Sequence, residues 1–358
     1  MRENKRLISL DVLRGITVAG MILVNNSGGR ETFAPLRHAD WNGLTPCDLV
    51  FPFFLFMVGI STYISLNKFH FEATPKTLIK ILKRTAIILL IGWSIHWFAR
   101  VCGGDFLPFD HLRLTGVLPR IALCYLAVSM FALYGNHRYT LSIATLILIG
   151  YAILLLIGNG YQNNETNLLA IGDRALIGEA HLYTKRPIDP EGLVSTIGAI
   201  AHTLIGFYCG KLIMKSHKNE EKVLQLFLFG FIITAIGLLF TFSLPINKRI
   251  WSPTFTWVTC GLATSLLAYL MYRIDIKQKT AGCNFFLIYG VNPLFLYVMS
   301  EVLAIIFGKF GIKEVICNGI NSILGEGCIA SATYAIGFML LHGAIGYYLW
   351  KKRIYIKI

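Results

Sequence analysis

The 358-residue sequence predicts an all-α fold, a polytopic integral membrane protein of about ten transmembrane helices with both termini cytoplasmic. Three observations lead there. Hydrophobic residues make up 55% of the chain and charged residues only 15%, too apolar for a solvated surface. Apolar stretches of about 20 residues, the length that crosses hydrocarbon, recur from end to end. The segments between them alternate between rich and poor in Lys and Arg.

The spans are expected near 7–26, 46–66, 82–99, 114–134 and 139–158, then 193–214, 223–244, 252–272, 283–307 and 331–350. An even number returns the two termini to one side. The segments on that side hold 20 of the 33 Lys and Arg and the opposite ones 11, with Arg14 and Arg120 inside spans. By the positive-inside rule the termini are cytoplasmic, so the net charge of +14 records topology and gives no sign of a nucleic-acid partner. The partner this composition demands is the lipid bilayer.

The first span follows Arg2, Lys5 and Arg6 in the manner of a signal peptide. It contains Asp11 and Arg14 and lacks a small-x-small cleavage site, so it is expected to stay in place. Asp11 and Arg14 are three apart and share a helix face, where they can pair instead of lying singly in a low-dielectric span. Arg120 should face the bundle interior, toward Asp48 or a carboxylate of the outer loops. Eight cysteines show no metal-ligand spacing, and no metal site is expected. Cys317 and Cys328 are close enough in one outer loop to form a disulfide in an oxidising compartment. His202 and His342 lie in spans, where a neutral imidazole donating to a carbonyl is the expected arrangement. The chain reads as a single transmembrane domain over 1–358. Its longest outer loop, 159–192, is polar enough to cover the outer mouth. No Walker A loop or dinucleotide fingerprint is present.

The densest polar constellation is the outer loop 27–45 with its flanks. Asn25 and Asn26 end the first span, and His38, Asp40, Trp41 and Asn42 follow. Asp48 sits three residues after Thr45 at the start of the second span, where a helix N-terminus welcomes a carboxylate. An imidazole that titrates near neutrality beside carboxylates and amides is the equipment of general acid–base chemistry.

Ser9-Leu10-Asp11-Val12-Leu13-Arg14-Gly15, His38-Ala39-Asp40-Trp41-Asn42-Gly43-Leu44-Thr45 and Asp48-Leu49-Val50-Phe51-Pro52 together resemble the heparan-alpha-glucosaminide N-acetyltransferase family. The likeness continues through Gly116-Val117-Leu118-Pro119-Arg120-Ile121, Asp189-Pro190-Glu191-Gly192, Pro245-Ile246-Asn247-Lys248 with Trp251-Ser252, and Gly290-Val291-Asn292-Pro293. Two departures stand out. The luminal region that precedes the first span in lysosomal animal members is not seen here, as expected of a compact bacterial relative in the inner membrane. Pro119 replaces a residue that is often polar.

The resemblance implies transfer of acetyl from cytoplasmic acetyl-CoA, as co-substrate, to the amine of a terminal glucosamine or related glycan across the membrane. Envelope polysaccharide O-acylation and secondary transport are the alternatives, and a homodimer is compatible with the resemblance. His38 is expected as general base or, alternatively, as a transient acetyl carrier. Asn25, with Asn26 as second choice, is expected to donate to the oxyanion, and Asp48 or Asp40 to orient the imidazole. Arg14, Lys83, Arg84, Arg120, Arg273 and Lys351 are expected to hold the polyanionic donor. Asn26, Trp41, Asn42, Asp189, Glu191 and Trp251 are expected to meet the acceptor sugar.

Overall fold

The structure is a computed structural model that describes residues 7–29, 31–216 and 218–356. Arg2, Lys5 and Arg6 of the expected cationic N-terminus lie outside the described residues. No strand occurs among the described residues.

Helix starts follow local chemistry. After α1 (Ile8–Asn25), α2 (Pro46–Asn67) opens on a capping box between Thr45 and Asp48 with Pro46 at its first position. Thr74 caps α3 (Pro75–Val101) through the Thr77 amide. Then come α4 (Val117–Tyr134), α5 (Thr140–Ile157) and the short α6 (Leu168–Ile177), which Asn167 caps inside the long outer segment. After α7 (Thr196–Lys215) and α8 (Asn219–Phe240), Ser252 caps α9 (Pro253–Leu270), which runs on into a π-helical turn at Met271–Ile276. The last four helices are α10 (Cys283–Val291), α11 (Pro293–Lys309), α12 (Ile312–Leu324) and α13 (Cys328–Lys351).

Eight of these helices are each long and apolar enough to cross a membrane, and α10 with α11, bent by 80° at Asn292–Pro293, adds a ninth if it counts as one span. The bend has a local cause, since Pro293 has no N–H to continue the helix and disfavours helical backbone at Asn292. The remaining expected span falls on α3. It is 27 residues long, but Lys76, Lys80, Lys83 and Arg84 in its first turns and His96 near its end keep it from matching the others in hydropathy.

Helices meet closely where glycine removes the side chain. On α2 and α7, Gly59 lies against the Thr203 carbonyl and Gly206 against the Phe56 carbonyl. On α1 and α10, Gly15 lies against the Phe286 carbonyl and Gly290 against the Asp11 carbonyl. Such backbone contact is how helices associate where lipid removes the hydrophobic incentive. Pro52, inside α2, leaves one turn of that helix without its usual bond. Buried His202 of α7 approaches from the other side, Nε2 donating to the Pro52 carbonyl at 2.9 Å. His342 likewise bonds the Phe338 carbonyl at 2.8 Å.

Two expectations need correction. Cys317 lies on α12 and Cys328 opens α13, and both are free thiols, with Cys317 Sγ donating to the Gly28 carbonyl at 3.1 Å. Cys317 is thus engaged with a backbone carbonyl instead of with Cys328. Arg120 is 1% exposed, but among the described residues it meets neither Asp48 nor another carboxylate within bonding distance. It donates to the Gly192 carbonyl at 3.0 Å and to Ser195 Oγ, and lies 5.1 Å over the Trp251 ring. One carbonyl, one hydroxyl and an aromatic face thus take the place of the expected counter-ion, tying α4 to the start of α7.

Candidate active site

Three separate pieces of chain build an outer cavity. The 37–48 stretch is stitched to the α8–α9 connection by the Gly43 amide on the Ile246 carbonyl at 2.8 Å and by Asn247 Nδ2 on Asn42 Oδ1 at 3.1 Å. Trp41 Nε1 donates to the Tyr161 carbonyl at 2.9 Å, which attaches the same stretch to the long outer segment. The cavity, about 180 Å³, is lined by His38, Asp48, Glu191, Lys248, Arg249 and Trp251 among others.

Asp48 is the hub, 1% exposed. Its Oδ2 accepts from the amides of Ala39 and Thr45 and from the Thr45 hydroxyl, at 3.1, 3.2 and 3.0 Å. Its Oδ1 lies 2.7 Å from His38 Nδ1 and 3.2 Å from Lys248 Nζ. A carboxylate only accepts, so a neutral His38 that donates to Asp48 carries its proton on Nδ1 and keeps a lone pair on the Nε2 of its half-exposed imidazole. That is the geometry of an oriented base. Cys47 Sγ lies 3.1 Å from His38 Nδ1, and Lys248 Nζ is at the same distance.

The long outer segment covers this cavity through Tyr183, Arg186, Pro190 and Glu191. Arg113 anchors it, bonding Asp189 at 2.7 Å and Glu191 at 2.9 Å and lying 4.8 Å over the Tyr183 ring. Burial alone would raise the Asp189 carboxyl. Arg113, the Thr115 hydroxyl and the Glu191 amide outweigh it and hold the group below its ordinary value. Asp173, on α6, is pushed up to about 6 by burial, only partly offset by the Val194 amide. Its Oδ2 is buried without a partner among the described residues.

A second cavity, about 270 Å³, lies deeper along α2. Its walls are apolar, with Phe54, Met57, Ile88 and Ile121, and two guanidinium groups, Arg14 and Arg84, reach it beside Ser61. Arg14 bonds Asp11 at 3.0 Å, as their spacing predicts, and Ser61 at 3.1 Å. Arg84 lies 4.7 Å over the Tyr125 ring, its Nε buried without a partner among the described residues. Asp48 and Ser61 are 13 positions apart on α2, about 20 Å of helix, while the linings of the two cavities approach each other at Phe51 and Phe54, three positions apart. Phe51, Ile88, Ile121 and Trp251 belong to one apolar cluster between them.

The expected site residues therefore divide. His38, Asp48, Trp41, Glu191 and Trp251 share the outer cavity, with Asn42 and Asp189 bonded just behind it. Arg14 and Arg84 share the deeper one. Asp40 is exposed beside the outer cavity without lining it. Asn25 bonds Glu301 of α11, and Asn26 turns back to the Ile22 carbonyl at 2.8 Å, so neither amide lines the His38 cavity. Lys83, Arg273 and Lys351 are exposed, and Arg120 lines neither cavity. Sequence reasoning missed Cys47, Arg113, Lys248, Arg249 and Glu301 as site residues. Glu301, an acidic residue inside a predicted span, carried a signal of its own. Lys248 lies 210 positions from His38, and only folding brings the two together.

Fold and cavities define a multi-pass, all-helical membrane protein with a histidine–carboxylate pair at one end of the bundle and a cationic, apolar-walled cavity deeper in it. The family follows from comparison with known proteins. Residues 6–246 match the family described as heparan-alpha-glucosaminide N-acetyltransferase, catalytic, and the chain belongs to that family. The heparan-alpha-glucosaminide N-acetyltransferases of Homo sapiens and Mus musculus are 28% and 27% identical to it over 99% of its length. The chain spans 60% of the length of each of these relatives.

Proposed function

We propose that this protein is a transmembrane N-acetyltransferase that takes acetyl from acetyl-CoA at the face carrying the termini and delivers it to an amino sugar at the opposite face. The proposed setting is the bacterial cytoplasmic membrane, termini inward. The observation that carries the reading is the His38–Asp48 pair, 2.7 Å apart in the outer cavity and inside the segment that matches the family's catalytic region.

In this scheme Asp48 holds the Nδ1 proton, and His38 Nε2 removes the proton of the acceptor amine as nitrogen attacks the thioester carbonyl. The C–S bond then breaks and the CoA sulfur takes up a proton. The deeper cavity suits the donor, because a guanidinium nitrogen of Arg84, buried without a partner among the described residues, matches a phosphate oxygen and the apolar walls match the thioester arm. Trp41, Glu191 and Trp251 would border the sugar.

The test is mass spectrometry of glucosamine-terminated acceptors after incubation with acetyl-CoA and purified protein. Gain of one acetyl on nitrogen is expected with wild type and not with His38→Ala. Transfer at the wild-type rate by His38→Ala would remove His38 from the chemistry. Acetyl found on oxygen would turn the reading to O-acylation.

A further inference from the structure

The chain turns back sharply after α13. Arg353 adopts a left-handed backbone, φ 55°, and the Ile354 amide closes the turn on the Leu349 carbonyl at 2.9 Å. The tail then passes beside the α10–α11 bend, where the side chain of Asn292 grips its backbone from both sides. Asn292 Nδ2 donates to the Ile354 carbonyl at 2.9 Å, and Asn292 Oδ1 accepts from the Ile356 amide at 2.9 Å. Asn292 itself is 1% exposed, and Ile356 lines the Arg14–Arg84 cavity.

The grip is specific but shallow. Ile354, Tyr355 and Ile356 remain 41–46% exposed, so little apolar area holds the strap beyond those two hydrogen bonds. A segment with few buried contacts opens at low cost. Asn292, by contrast, cannot easily stay empty, because a buried carboxamide without partners carries a desolvation penalty. Whatever displaces the tail has to offer amide groups in its place.

We propose that residues 353–356 form a displaceable strap across the termini-side mouth of the Arg14–Arg84 cavity, and that Asn292 is the residue that reads an amide of the entering donor. This rests on the donor reading above. The chemistry is that of an anionic thioester whose arm carries secondary amides, as the pantetheine arm of CoA does. Strap and arm then compete for one carboxamide. Lys351, Lys352 and Arg353, all exposed, lead into the strap in sequence and bring positive charge next to it.

The experiment is hydrogen–deuterium exchange of the tail in the full chain in lipid nanodiscs, with CoA and with ADP, which has phosphates but no amide arm. Thermal stability is measured in parallel. Saturating CoA is expected to speed exchange of the Ile356 amide about tenfold, and ADP to leave it unchanged. A chain ending at Lys352 should bind CoA about tenfold more tightly. Adding Asn292→Ala to that shortened chain should weaken CoA and leave ADP as before. If CoA raises thermal stability while tail exchange and the affinity of the shortened chain stay at wild-type values, the strap is overturned and the donor reading stands. If CoA stabilises neither the full nor the shortened chain, the donor reading fails and this inference with it.

Discussion

The two cavities along α2 are built on opposite principles. Around His38 the carboxylate and the connecting segments are firmly held, although Arg249 Nη1 and Trp251 Nε1 on the lining are buried without a partner among the described residues. Asp48 takes five bonds, Asn247 braces the 37–48 stretch, and Arg113 fastens the covering segment. Around Arg84 the walls are apolar, a guanidinium nitrogen has no partner among the described residues, and the mouth is crossed by a tail held by two bonds. A reacting centre gains from preorganisation, since groups fixed in place cost nothing to reorganise during the reaction. A site that admits and releases a large ligand gains from loosely held groups and an opening mouth. In the proposed scheme the outer end carries the chemistry and the deeper one exchanges the carrier.

The largest effect should come from the outer end. His38→Ala is expected to lower kcat by about 10³-fold with little change in the KM for acetyl-CoA, measured as transfer to a glucosamine-terminated acceptor. A raised KM with unchanged kcat would move His38 to the binding side of the comparison. Next is the fastening of the covering segment. Arg113→Met leaves two carboxylates beside an empty position, one of them buried, and should cost about 3–5 kcal/mol, read as a large fall in Tm.

Asp173 supplies the contrast within the covering segment, a buried charge that opposes the fold instead of holding it. Its native pKa of about 6 lies above the usual 3.8, so the folded state binds its proton more tightly than the unfolded one. On this group's account stability is full below about pH 4 and declines as pH rises through 6, by up to about 3 kcal/mol. Asp173→Asn should therefore raise Tm at pH 7.5 and leave it nearly unchanged at pH 4. Equal shifts at both would locate the effect in packing. The smallest effect belongs to the deeper cavity, where Arg84→Met should raise the KM for acetyl-CoA about tenfold at nearly constant kcat. A loss confined to kcat would erase the division of labour between the cavities.

Much of the fold was legible because lipid demands long apolar helices, and the sequence displays them. α3 reads less clearly, since cations and polar aromatics at its ends dilute its hydropathy while packing still keeps it helical. The pairing of Asp11 with Arg14 was legible from spacing within one helix, and the capping role of Asp48 from Thr45 three residues before it. Partnerships between distant segments were hidden. Arg120 finds Gly192 and Trp251, and Lys248 finds His38, only because helices bring their ends together. Asn292 appeared within a motif, but its grip on the tail depends on an 80° bend that no local pattern specifies.

The central claim is that acetyl enters at one membrane face and leaves at the other. Proteoliposomes with uniformly oriented protein test it, with labelled acetyl-CoA on the side of the termini and the glucosamine-terminated acceptor confined to the opposite side. Labelled product is expected in this arrangement and should vanish when the two substrates exchange sides. Product formed only when donor and acceptor share one compartment would contradict the account.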